Sequence, residues 1–173
     1  MTAVTDTPSI SADRPLPYVA APEIGLRSFR AARPTWCWFV GAHGGAGEST
    51  LAALLPNAGA GEHRWPIHPD GDVPDVVLVA RTSLTGLTAA RAALTQWAAG
   101  GTPPVRLLGL VLMPDAPGRL PKPLRDLAEV VAGGVRDRAV WHLPWVEEWR
   151  TGDQAGPKIT ARLFADLAHL TES

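Results

Sequence analysis

Cysteine is all but missing from this chain: Cys37 is the only one, so no disulfide can close within it. No stretch approaches the roughly 18–20 consecutive apolar residues of a membrane-spanning helix. Residues 1–13 have neither a basic start nor an apolar centre, so no secretory signal is expected there. Net charge is nearly absent too, at -1, which gives nucleic acid or an acidic membrane no claim as the main partner. The local exception, Arg27, Arg30 and Arg33, reads as the solvated edge of a linker. Lysine is scarce: Lys122 and Lys158 stand alone among 16 basic residues, a bias attributed to genome composition. A cytoplasmic protein is the default left by these absences.

What is present is a hydrophobic content of 46% over 173 residues, enough for one domain with a buried core. Residues 1–33 are rich in Pro, Ser, Thr and Ala without periodicity, and read as a disordered or loosely packed tail. From residue 34 to residue 173 the pattern changes to alternating strands and helices. Apolar runs at 36–40, 76–80, 105–113 and 139–143 are strand candidates, with a further short one at 64–67. Between them lie helical patterns at 49–55, 84–99, 120–132 and 158–170. The second of these places Leu87, Ala90, Leu94 and Trp97 on one face, and Gly100-Gly101 ends it. Strands separated by helices of this length imply right-handed crossovers and a parallel sheet covered on both faces.

The chemistry-bearing feature is Gly41-Ala42-His43-Gly44-Gly45-Ala46-Gly47-Glu48-Ser49-Thr50. It has the strand, glycine loop and helix of a phosphate-binding P-loop. Such a loop holds phosphate with backbone N–H groups, a lysine spans the outer phosphates, and a Ser or Thr hydroxyl ligates magnesium. Gly44, Gly45 and Gly47 keep the nest and Ser49 keeps the hydroxyl, but Glu48 stands where the lysine belongs. Two unit charges 4 Å apart interact by about 4 kcal/mol at an effective dielectric of 20, so reversing the sign weakens triphosphate binding by orders of magnitude. It also removes the cation that stabilises phosphoryl transfer. A carboxylate suits the first turn of a helix, so Glu48 is expected to satisfy its own loop. It would turn toward the glycine N–H groups or pair with an arginine. Arg81 directly follows the strand at 76–80, at the end where α/β crevices form, and is the candidate partner.

The run from Gly44 to Thr50 resembles the deviant Walker A loop of the ParA/MinD ATPases, whose two lysines fall on His43 and Glu48 here. Arg81 to Leu87 after the strand at 76–79, residues 108–112, and Val140-Trp141-His142-Leu143-Pro144 resemble later strands and helices of that fold. Met113 stands where the family places an adenine-contacting asparagine, and the segment that should carry the two Walker aspartates is nearly gone. The chain also resembles small actinobacterial proteins with a Gly-Ala-His-Gly-Gly-Ala-Gly loop, often associated with mobile or conjugative elements.

The resemblance implies a P-loop NTPase-like three-layer α/β sandwich with a mainly parallel sheet. It implies a degenerate phosphate loop made of Gly44, Gly45, Ala46, Gly47, Glu48, Ser49 and Thr50. No catalytic residue and no cofactor is expected, and ATP or ADP with magnesium would bind weakly. The function expected is that of a non-hydrolysing scaffold or regulatory partner. The alternatives are an ATPase completed by a partner subunit and a binder of another phosphate-bearing ligand. Trp145 and Trp149 are the candidate partner surface, because tryptophan is enriched in binding hot spots. A homodimer is compatible with the family. His63, His68, Asp70 and Asp72 match no metal-ligand spacing and read as a loop.

Overall fold

The computed structural model describes residues 22, 24–135, 138–152, 156 and 158–171. Its centre is a five-stranded sheet in which every pairing is parallel. The strands in chain order are β1 Arg27–Arg30, β2 Cys37–Gly41, β3 Ala58–Ala60, β4 Arg64–Ile67, β5 Asp75–Arg81, β6 Arg106–Met113 and β7 Ala139–His142. The helices are α1 Glu48–Leu54, α2 Leu84–Ala98, α3 Lys122–Gly133 and α4 Lys158–Thr171, with a 3₁₀ turn at Glu147–Arg150. The large sheet runs β3-β2-β5-β6-β7, and β1 and β4 form a separate parallel pair. The four strongest apolar runs of the sequence are therefore the four consecutive strands β2, β5, β6 and β7.

Period-2 alternation divides their side chains between two cores. Trp38, Val40, Val76, Leu78, Ala80, Leu110 and Leu112 face α2, α3 and the β1–β4 pair. Cys37, Phe39, Val77, Val79, Val111 and Trp141 face α1 and α4. The sheet is thus covered on both faces, as continuous Val/Leu strands require. On α2, Leu87, Ala90 and Leu94 are buried, on the stripe that the 3.6-residue period picks out. Among the described residues no helix is long and apolar enough to cross a membrane.

Residues 27–30, grouped by composition with the tail, form β1. Four residues of Arg, Ser and Phe carry no periodic signal, and what holds them is tertiary. The Phe29 ring packs edge-on to Trp38 at 5.3 Å, and the Arg64 guanidinium lies 4.7 Å from its centroid. Just upstream, the Gln96 amide grips Leu26 at both backbone groups: Leu26 N–H donates to Oε1 at 2.8 Å and Nε2 donates to the Leu26 carbonyl at 2.9 Å. The same amide accepts from Trp65 Nε1 at 3.0 Å and donates to the Gly101 carbonyl at 3.0 Å. Residues 1–21 and 23, the rest of the expected tail, lie outside the described residues.

Candidate functional site

Parallel strands bring their carboxyl ends to one edge, which gathers the glycine loop after β2, Arg81 at the end of β5, Met113 at the end of β6 and Pro144 beyond β7. Two glycines of the loop are needed for its shape. Gly47 adopts φ 103° at the start of α1, a left-handed conformation, and a Cβ there would collide with Met113 Sδ. Gly41 closes β2, and a Cβ on it would lie 2.9 Å from both Glu48 Cδ and His63 Nδ1. The missing side chain at Gly41 is filled by the Glu48 carboxylate.

Glu48 is the first residue of α1 and only 4% exposed. A buried carboxylate must find donors. Its Oε2 accepts a short hydrogen bond from the Gly41 N–H and a long one, 3.5 Å, from the His63 N–H. His63 Nδ1 lies 2.9 Å from Oε1, at ion-pair distance but off the line of a good hydrogen bond. His63 sits in the Gly61–Arg64 turn, closed by Arg64 N–H to the Gly61 carbonyl at 3.1 Å. Its central residues, Glu62 and His63, have φ of 50° and 58°, the pattern of a type I′ turn without the usual glycine or asparagine. Glu48 holds this strained turn against the end of β2.

Arg81, expected as the partner of Glu48, goes elsewhere. Its Nε donates to the Gly45 carbonyl at 3.0 Å and its guanidinium to the Pro114 carbonyl at 2.7 Å. A carbonyl offers no desolvation penalty of a second charge, and His63 already sits beside Glu48. Arg81 therefore straps the glycine loop to the end of β6. His43 is a strut. Its Nε2 accepts from the Arg81 N–H at 3.1 Å, so the ring proton sits on Nδ1 and donates to the Gly44 carbonyl at 2.8 Å.

Of the other loop residues, Gly44, Gly45 and Ser49 are exposed, Ala46 is buried, and Thr50 is half-buried. Thr50 borders a crevice of about 100 Å³ together with Arg81, Met113, Pro144, Trp145 and Trp149. That is well below the roughly 300–1,000 Å³ of small-molecule pockets. Met113 is 2% exposed and packs onto Gly47. Trp145 and Trp149 stand beside the loop, both half-buried. Trp145 Nε1 donates to Glu147 Oε2 at 2.7 Å, and the Arg150 guanidinium lies 5.7 Å from the Trp145 ring. Trp141 belongs to the core and donates through Nε1 to Asp166 at 2.9 Å.

The histidines and aspartates of residues 63–72 do not converge. His63 stands beside Glu48, buried His68 accepts from Trp38 Nε1 at 2.9 Å, and Asp70 accepts from the Asp72 N–H at 3.1 Å. Among the described residues no group of three or more His, Cys, Asp or Glu is placed to hold a metal. Cys37 is fully buried, and burial, reinforced by the Asp75 charge and opposed by Arg106, pushes its thiol far above the ordinary range. It is not a nucleophile.

A family model described as "Family of unknown function (DUF6668)" matches residues 35–166. No curated protein and no solved structure matches the chain.

Proposed function

The chain belongs to the DUF6668 family, whose function is unknown, and from that premise we propose that it is a cytoplasmic P-loop pseudo-ATPase. In this reading it is a degenerate ParA/MinD-type domain that acts as a non-hydrolysing scaffold or regulatory partner protein. The observation that supports this most is the state of Glu48. The residue in the lysine position is buried, opposite in charge, and engaged with the backbone of Gly41 and with His63. A phosphate approaching the loop would meet a fixed carboxylate where it needs a cation. Met113 packed on Gly47 and a crevice of about 100 Å³ leave little room for a nucleotide. Arg81, a cation that reaches the loop, has two of its donors committed to carbonyls. The link to a mobile or conjugative element rests on the resemblance of the loop alone. Trp145 and Trp149 are the proposed partner contact, since they lie half-buried beside the crevice rather than sealed in the core.

Calorimetry and phosphate-release assays on the purified full chain with magnesium and ATP test this reading. No binding heat and no turnover above background are expected. Turnover that disappears in Ser49→Ala would instead establish an ATPase. Glu48→Lys sharpens the test: it restores the missing cation, so it is expected to gain affinity for ADP and ATP over adenosine. It also takes an acceptor from Gly41 and His63, so circular dichroism must accompany it.

A further inference from the structure

The parallel pair β1–β4 has one closed edge and one open edge. Ser28 is in register with Trp65 and Arg30 with Ile67, and the Ala31 N–H donates to the Ile67 carbonyl. That pattern turns the backbone groups of Phe29 toward β4 and those of Ser28 and Arg30 away from it. On β4 the outward positions are Arg64 and Pro66. The Arg64 N–H is taken by the Gly61 carbonyl at 3.1 Å, and Pro66 has no N–H to offer. On β1 the outward N–H groups of Ser28 and Arg30 are both present, both residues are exposed, and no hydrogen bond reaches those groups. Two residues upstream, the Gln96 amide holds Leu26 at both its N–H and its carbonyl, the two-point contact that a neighbouring strand would make. Leu26 also borders an uncharged groove of about 510 Å³ along α2, lined among others by Ile24, Leu84, Thr88 and Ala92. That groove carries no charge that would select an occupant, whereas the edge does. Arg27 and Arg30 on β1 and Arg33 just beyond it are exposed, and none has an ion-pair partner among the described residues.

We propose that the open edge of β1 docks an acidic, extended segment of a partner protein, which joins the pair as a third strand. The backbone groups of Ser28 and Arg30 supply the ladder, and the unpaired arginines choose the sign of the charge that is accepted. Side chains alternate along a strand, so Arg27 and Arg30 lie on opposite faces. Two acids three residues apart in the incoming segment therefore meet both, with an apolar residue between them beside Phe29. An antiparallel arrangement is favoured, since parallel pairing is slightly less stable per residue. The segment then reads acid, apolar, polar, acid. A second copy of the chain is the weaker occupant. Edge-to-edge pairing would crowd Arg27 and Arg30 of both copies along one short seam, where like charges repel. None of the residues of this edge borders the glycine-loop crevice, so the docking does not depend on how that loop treats nucleotides.

The test is fluorescence anisotropy of a dye-labelled peptide, Thr-Glu-Val-Thr-Glu-Thr, titrated with the purified full chain. Saturable binding is expected, and a counterpart with lysine in place of both glutamates is expected not to bind. Arg27→Glu and Arg30→Glu together turn two cross-strand attractions into repulsions and should weaken binding about tenfold or more. Arg162→Glu should leave binding unchanged, because it is an exposed position on α4, which covers the other face of the large sheet. Two changes separate backbone pairing from charge alone. The peptide N-methylated at the residues that face Ser28 and Arg30 keeps every charge and should lose binding. Ser28→Pro removes an outward N–H without touching the ladder to β4, and should weaken binding several-fold. Circular dichroism accompanies each variant, and the N-methylated peptide decides the matter on the unmodified chain. Absence of binding would overturn the proposal, as would binding that survives the double charge reversal. Undiminished binding of the N-methylated peptide would overturn it too, by reducing the edge to a basic patch. So would tighter binding of a single-stranded oligonucleotide than of the peptide, which would assign the arginines to phosphate.

Discussion

The glycine-loop end of the sheet and the face of α2 pose the same problem and solve it in opposite ways. Each is a concavity with surface to satisfy. At the loop the surface is polar, and the chain closes it with its own groups: Glu48 takes the Gly41 N–H, Arg81 takes two carbonyls, and Met113 fills the space over Gly47. On α2 the surface is apolar, and about 510 Å³ stays open among the described residues. The difference is one of directionality. An unpaired buried donor costs about 1–3 kcal/mol where it stands, so local side chains are recruited to it. An apolar wall has no directional demand and is relieved only when area is covered, which takes a segment rather than a side chain.

The widest separation between the two regions is expected from Glu48→Ala against Thr88→Arg. The first leaves the Gly41 and His63 N–H groups without their acceptor and should lower stability in urea by about 2–3 kcal/mol. The second touches only an exposed groove position and should cost no more than about 0.5 kcal/mol. Equal costs would break the comparison, because the loop would then not be held by its own carboxylate.

Gly47→Ala sharpens the same contrast at one position. Left-handed backbone and the collision with Met113 Sδ together predict a loss of about 2 kcal/mol or more. In a double-mutant cycle, Met113→Ala should recover the steric part and leave the conformational part. Purely additive effects would mean that Met113 does not close the loop.

The smallest effect concerns the core between the sheet and helices α1 and α4 and appears only in alkali. The folded Cys37 thiol is raised in pKa by burial and by Asp75, while in the unfolded chain it ionises near 8.5. Above that pH the unfolded state releases a proton that the native state keeps, so stability falls as pH rises. The limiting slope is about 1.4 kcal/mol per pH unit. Cys37→Ala should flatten this part of the pH–stability curve, and a thiol reagent should leave the native protein unmodified. Rapid labelling of folded protein would contradict the placement of Cys37.

The same contrast separates what could be read from sequence from what could not. The apolar runs at β2, β5, β6 and β7 are continuous because the strands are buried on both faces, and that signal is strong in a single sequence. The helices followed from their periodic stripes to within one or two residues, as at Leu84–Ala98. That Glu48 would answer to its own surroundings was legible from charge and position. That its partner is His63 was not, because Gly61-Glu62-His63-Arg64 forms its turn with neither glycine nor asparagine at the centre. Arg81 was placed at the right edge of the sheet and given the wrong partner, since sequence fixes a strand end but not which acceptor a long side chain reaches. β1 escaped notice because its support, Gln96, lies 70 residues from Leu26.

That glutamine has a consequence for how the sequence can drift. Its side-chain oxygen accepts twice and its nitrogen donates twice, so all four directional capacities of one amide are spent on Leu26, Trp65 and Gly101. Glutamate keeps the shape but turns two donors into a charge facing two carbonyls. Asparagine keeps the amide and falls one methylene short. Methionine keeps the bulk and leaves the backbone of Leu26 unanswered. Position 96 is therefore closed to single conservative replacement even though it is only half-buried. A relative that carries another residue there must hold the chain before its first strand by some other anchor, and that compensating change should be found among the residues facing Leu26.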